Sequence, residues 1–170
     1  MLAMTHHLVH FNLAIARKAL DHPSMAEFVV QLESVNQLAR ATRGFVWAPE
    51  GDEPGNGTAV FEDERALPNL SVWRSLEDLR RFVYEGLHAK ALDRRGEWFE
   101  AAPGPRYVLW WIHAGDRPDL NEAKHRLKHL TVHGSTPHAF TFTETFNAPE
   151  DDAAKLLPPD TRTSVRDDEA

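Results

Sequence analysis

Ten histidines and no cysteine bound the chemistry open to this chain of 170 residues. Without thiols there are no disulfides, thiolate nucleophiles or cysteine-based zinc and iron–sulfur sites. His125, His129 and His133 recur every four residues, a spacing that puts imidazoles on one side of a helix where two or three can take zinc or nickel. On the same helical projection Leu120, Ala123, Leu127 and Leu130 form an apolar stripe well away from them, so the histidines face solvent, and no carboxylate stands at a telling spacing. The expectation from this spacing is therefore no functional metal. Asn69 and Trp73 stand four residues apart in an extended run, so they share one strand face with Ser71 between them and can enter one cavity. His88 follows the break at Gly86. An unperturbed imidazole titrates near neutrality and suits a base or proton shuttle, although closing the helix break at Gly86 by a bond to a backbone carbonyl is the simpler reading. Ser71 and Ser135 have no evident His and Asp partners, and there is no glycine-rich phosphate loop or Gly-x-Ser-x-Gly elbow, so hydrolysis and phosphoryl transfer fall behind.

The elements that must position these residues are legible. His7 to Ile15 alternates as a strand, with Val9, Phe11, Leu13 and Ile15 on one face and Leu8, His10, Asn12 and Ala14 on the other. Pro23 to Ala41 is an amphipathic helix, Gly44 to Trp47 a second strand, Pro49 to Thr58 a long loop, and Leu67 to Trp73 a third strand. Ser75 caps a second helix, with Asp78 in capping-box position and Leu76, Leu79, Phe82 and Val83 as its buried stripe. A further helical segment runs through His88, Leu92, Arg95 and Phe99, and Arg106 to Ile112 is a strongly apolar fourth strand. This order is the α+β, ferredoxin-like βαββαβ plan. An extra helix, Leu120 to His133, and a short strand, Ala139 to Phe146, follow it.

Length and composition suit one domain, residues 1–146. Residues 147–170 hold seven acids against three bases, with Pro149, Pro158 and Pro159, and read as an acidic, disordered tail. The net charge of −7 opposes nucleic-acid binding. No stretch approaches the roughly 18 apolar residues of a membrane span, and no leader pattern opens the chain, so the expected location is cytoplasmic. With helices on one face of the sheet, the other would stay bare. The set His10, Asn12, Asn69, Ser71 and Trp73 is assigned to that bare face, joined either by Tyr107, Leu109 and Trp111 or by the alternate set with Trp110. It is too aromatic for water and too polar for a dry core. Pairing with a second copy around a small-molecule pocket resolves the conflict and predicts a homodimer.

The segment Asn69 to Leu79, with His88 and Trp98 to Glu100 after it, resembles the dimeric α/β-barrel proteins related to antibiotic-biosynthesis monooxygenases. Leu109 to Pro118 and Gly134 to Phe142 resemble more closely a bacterial domain-of-unknown-function family of that fold. Some members of the broader group oxidise polycyclic phenols or anthrones with O₂ and no cofactor. The resemblance implies that Asn12, Asn69 and Trp73 are catalytic with His88, that an enolate is held by amide donors, and that His10, Ser71, Trp110 and Trp111 line the substrate. It also implies the rival roles that the fold hosts: an isomerase or cyclase working through a similar enolate, a non-catalytic ligand-binding dimer, or a haem protein with His88 or His113 as ligand.

Overall fold

Residues 5–50, 60–85 and 93–150 are described by the structure, a computed structural model. His88 and Gly86 lie outside these residues, as do 51–59 of the expected loop and 151–170 of the acidic tail. The elements are β1 (His6–Ile15), a 3-10 turn (Pro23–Met25), α1 (Ala26–Ala41), β2 (Phe45–Trp47), β3 (Ala66–Trp73), α2 (Leu76–Tyr84), α3 (Arg95–Trp98), β4 (Tyr107–His113) and α4 (Leu120–His133). The strands form one antiparallel sheet in the order β2-β3-β1-β4, the ferredoxin-like arrangement expected of βαββαβ. Among the described residues, no helix is long and apolar enough to cross a membrane.

The turn into β2 shows how tightly sequence and position are coupled. Ser75 caps α2: its Oγ accepts from the Asp78 amide at 3.1 Å and donates to Asp78 Oδ2 at 2.9 Å. That fixes the Asp78 side chain against Gly44, whose φ is +92° and where a Cβ would sit 2.3 Å from Asp78 Cγ. Glycine alone satisfies both the left-handed backbone and the close approach. Gly44→Ala should therefore cost at least the ~1–3 kcal/mol of a strained backbone, read as a lowered midpoint in urea unfolding. An unchanged midpoint would show that Asp78 moves aside freely.

Burial divides the sheet into two faces that differ from the expectation. The face with Leu8, Trp73 and Leu109 meets α2 through Leu79, Phe82 and Val83 and meets α1 through Val35, Leu38 and Ala39. His10, Asn12, Asn69 and Ser71 alternate in phase with those residues, so the polar-aromatic set lies under the helices, not on a bare face. The opposite face, with Val9, Phe11, Leu70, Val72, Val108 and Trp110, is covered from within the chain by α4 through Ala123 and Leu130. The reason the sequence offered for a homodimer, an uncovered sheet face, is thus removed. The physical cause lies in α4 itself: its apolar stripe needs a dry partner, and Val9, Phe11 and Leu13 of β1 supply an apolar one.

The segment after α4 returns to the outer edge of β4. The expected strand Ala139 to Phe146 is reduced to isolated bridges: Ala139 pairs back with Thr136, and on β4 Leu109 and Phe140 exchange backbone hydrogen bonds of 2.8 and 2.9 Å. Phe140 is fully buried there. Farther along, the Trp111 indole donates to the Phe146 carbonyl at 2.7 Å.

Candidate functional site: a polar row beneath the helices

The strand registers assemble the site. Asn12 is the cross-strand partner of Asn69 on one side and Tyr107 on the other. His10 stands between Ser71 and Leu109 in the next row, and Leu8 between Trp73 and Trp111 in the one after. Directly opposed residues of an antiparallel pair hold their Cβ atoms about 4.5–5.5 Å apart, so the Asn12 and Asn69 amides can reach a single ligand atom. Both are half-buried, and among the described residues neither side chain makes a hydrogen bond. A half-buried amide without a partner is costly in a finished core and useful in a binding site.

Apolar clusters flank this row on the same face. Leu8, Trp73 and Leu109 with α2 form one; Ala16, Met25 and Trp98 with Phe28, Leu67 and Phe99 form the other. Helix α1 is anchored to both, by Phe28 at one end and by Val35 and Leu38 at the other, a separation of about 10–15 Å at 1.5 Å per residue. No residue of α1 is fully buried, so the helix stands off the sheet instead of closing on the amides. Arg94, the residue that precedes α3, braces it by pairing with Glu27 of α1 and with Glu97 of α3.

Other expected site residues fall into three groups. His10 is almost fully buried and lies edge-on to Tyr107, with ring centroids 6.1 Å apart, in the row next to the amides. Trp73 shares their face but is wholly buried, stacked on Phe82 at 4.9 Å, and its indole donates to Ser71 Oγ at 2.9 Å. It holds the Ser71 hydroxyl and braces the row, and offers no open ring to stack a substrate. Trp111 lies on this face at its far row, its indole committed to Phe146. Trp110 is on the opposite face, buried under α4 with the Arg126 guanidinium 5.5 Å from its ring centroid. The β4 residues that join Asn12 are therefore Tyr107, Leu109 and Trp111, and Trp110 leaves the substrate-lining group.

Tyr107 and Phe142 complete the row, Phe142 being a residue that local sequence patterns do not point to. The Phe142 amide donates to Tyr107 Oη at 3.1 Å, and the Phe142 ring lies 5.5 Å from Tyr107 and 6.4 Å from His10. Burial pushes the Tyr107 phenol above its ordinary pKa, the Phe142 amide offsetting part of this. Tyr107 therefore stays a neutral phenol around neutrality.

The histidines of α4 do not form such a site. His129 contacts His133 and His138 at ring separations of 4.5 and 4.7 Å and shares a 3.0 Å hydrogen bond with Thr136, while His125 is exposed. His113 contacts His6 at 4.6 Å. Among the described residues, no three His, Asp or Glu side chains are placed to hold a metal ion. A cleft of about 420 Å³ opens beside His6, Trp111 and His113 at the end of β4, but charges of both signs line it and its Arg126 is already paired with Glu122 at 2.8 Å. The polar row, with its unengaged amides, is the stronger candidate.

Two histidines away from the row link stability to pH. Burial holds the His138 imidazole below its ordinary pKa, aided by Arg126, and burial with Arg74 does the same for His7. Their neutral forms are favoured in the folded state. The stabilisation is fully present above the unfolded pKa near 6.5 and is lost as pH falls through the folded values. The melting temperature should decline below about pH 6.5, and His138→Gln should reduce that slope; a slope unchanged in the variant would exclude His138 as a source.

Residues 7–156 match the model of a family described as a domain of unknown function, DUF3291. No curated protein matches the sequence. Solved structures of similar fold include PA3566 from Pseudomonas aeruginosa, 14% identical, covering 67% of this chain and 99% of that one with a TM-score of 0.46. Rv0793 from Mycobacterium tuberculosis is 11% identical, covers 66% and 99%, and has a TM-score of 0.46. SnoaB, a cofactor-independent oxygenase from Streptomyces nogalater, is 14% identical, covers 67% and 96%, and has a TM-score of 0.41.

Proposed function

The chain belongs to the DUF3291 family, and from the site it builds we propose that it is an enzyme acting on a small planar aromatic or polyketide-like molecule, whose oxygen it holds as an enolate between Asn12 and Asn69. The observation that carries this reading is the pair of opposed, half-buried amides with no hydrogen bond of their own among the described residues. Two N–H donors within reach of one point are suited to the negative charge that develops on a carbonyl oxygen when the adjacent carbon loses a proton. Apolar clusters on either side suit flat rings and exclude water.

The reaction proposed is a cofactor-independent oxygenation. A base removes a proton from an activated CH₂ group, and the delocalised anion gives electrons to O₂. The carbon–oxygen bond then forms, and the resulting hydroperoxide loses water to leave a carbonyl. One O₂ is consumed, one of its oxygens entering the product and the other leaving as water. His10, buried in the row beside the amides, is the base among the described residues. His88 is the rival base that sequence suggests. Neutral Tyr107 can return a proton to the peroxide. Trp73 supports Ser71 and the floor of the row.

The partner this reading requires is the small molecule. Any homodimer must use a surface other than the sheet face that α4 covers. Dithranol, a tricyclic anthrone with an activated CH₂, is a suitable probe, assayed by oxygen uptake. Turnover above the uncatalysed rate, with His10→Ala flattening the pH profile, is the expected result. Saturable binding without oxygen uptake would assign the chain to ligand binding alone, and absence of both would reject the site.

A further inference from the structure

We propose that Phe142, carried around the outer edge of β4 by the segment that follows α4, is the specificity-determining wall of the polar row and limits the width of the ring system that can lie over Asn12 and Asn69. The inference rests on the polar row being a ligand site, and it adds the feature that selects among ligands.

Three elements converge on this one residue. Its amide donates to Tyr107 Oη at 3.1 Å, and its carbonyl accepts from Arg80 of α2 at 3.0 Å. Its ring lies against Tyr107 at 5.5 Å, Tyr84 at 5.6 Å and His10 at 6.4 Å, with the Arg80 guanidinium 5.8 Å from its centroid. Tyr107 is on β4, His10 on β1, and Tyr84 and Arg80 on α2, so the ring is held where strand edge and helix layer meet. Two residues earlier, the Leu109–Phe140 bridge clamps the segment to β4. An aromatic ring fixed on both backbone groups yields little to an incoming ligand, and this makes it a boundary and not a flexible lid. Among the described residues the Arg80 side chain donates only to Phe142, and so acts as a positioning residue.

The test uses the full chain, two quinone probes and one chemical label. Binding of 1,8-dihydroxyanthraquinone, three rings wide, and of 6,11-dihydroxy-5,12-naphthacenequinone, four rings wide, is followed by tryptophan quenching. Diethyl pyrocarbonate labelling of His10 is read by mass spectrometry. Phe142→Ala should shift the affinity ratio toward the four-ring probe by about tenfold or more, the scale of discrimination that apolar pocket contacts provide, and should speed labelling of His10. Arg80→Ala should shift the ratio in the same direction by less. Phe142→Leu keeps bulk at the position, should retain the wild-type preference, and serves if the alanine variant fails to fold. An unchanged affinity ratio, or labelling of His10 at the wild-type rate, would overturn the proposal. If neither quinone binds the wild-type chain, the ligand reading fails with it.

Discussion

Replacing Asn69 with alanine should lower the rate of dithranol oxidation by about 10- to 1000-fold, the scale of losing one donor to a developing oxyanion, while leaving the melting temperature almost unchanged. The two halves of this expectation come from the same observation. The Asn69 amide makes no hydrogen bond within the described protein, so its removal breaks no internal hydrogen bond, and none of the usual causes of large destabilisation applies. A structural asparagine would behave in the opposite way, costing about 1 kcal/mol for the lost hydrogen bond with no selective effect on turnover. Since the charge on oxygen grows only as the proton leaves, kcat and kcat/KM should fall together, with KM little changed. Asn12→Ala should act likewise, and the double variant should fall short of the product of the single effects, because two donors that share one oxygen are coupled. Steady-state oxygen uptake and thermal unfolding of the four proteins decide the matter. A drop in melting temperature that tracks the loss of rate would reassign both residues to structure.

Much of this arrangement is legible in the sequence because strand alternation is a local property. The period of two in β1 places Leu8, His10 and Asn12 together, and the same period in β3 places Asn69, Ser71 and Trp73 together. Element order then gives the ferredoxin-like sheet. Alternation says which residues share a face, however, and not which layer that face will meet. The more polar set was the natural candidate for a face shared with a second copy, yet it lies under α1 and α2, where its polar groups adjoin a helix that stands off the sheet. A residue-level clue was present: Leu120, Ala123, Leu127 and Leu130 form a stripe on α4 that must be buried somewhere, and Val9, Phe11 and Val72 are the dry surface that fits it. Trp73 illustrates a second limit. Its position in the row is readable, but its complete burial against Phe82 and Phe45 depends on contacts from α2 and β2 that no local pattern encodes. Phe142 lies in the expected strand Ala139 to Phe146, but its place in the row comes from its hydrogen bonds with Tyr107 and Arg80, which no local pattern encodes.

The covering of the second sheet face also yields the largest expected effect on stability. A chain ended after Asp116 lacks α4 and the segment behind it, and so exposes Val9, Phe11, Leu70, Val72, Val108 and Trp110 together, all of them buried in the full chain. Several large side chains at about 1.5–3 kcal/mol each together rival or exceed the roughly 5–15 kcal/mol net stability of a typical domain. The shortened chain should therefore lose its cooperative unfolding transition, or self-associate through the exposed face. The single substitution Leu130→Ala samples the same contact at lower cost: Leu130 is 4% exposed and packs on that face, and truncating such a leucine costs about 2–5 kcal/mol. Loss of α4 should also free the outer edge of β4, since the Leu109–Phe140 hydrogen bonds go with it, and an unpaired edge strand favours association. Urea unfolding with light scattering separates these outcomes. A shortened chain that unfolds cooperatively as a monomer would mean that the sheet and its α1–α2 layer fold alone, and that α4 is an accessory; a soluble dimer would mean that α4 occupies the place a second copy can take.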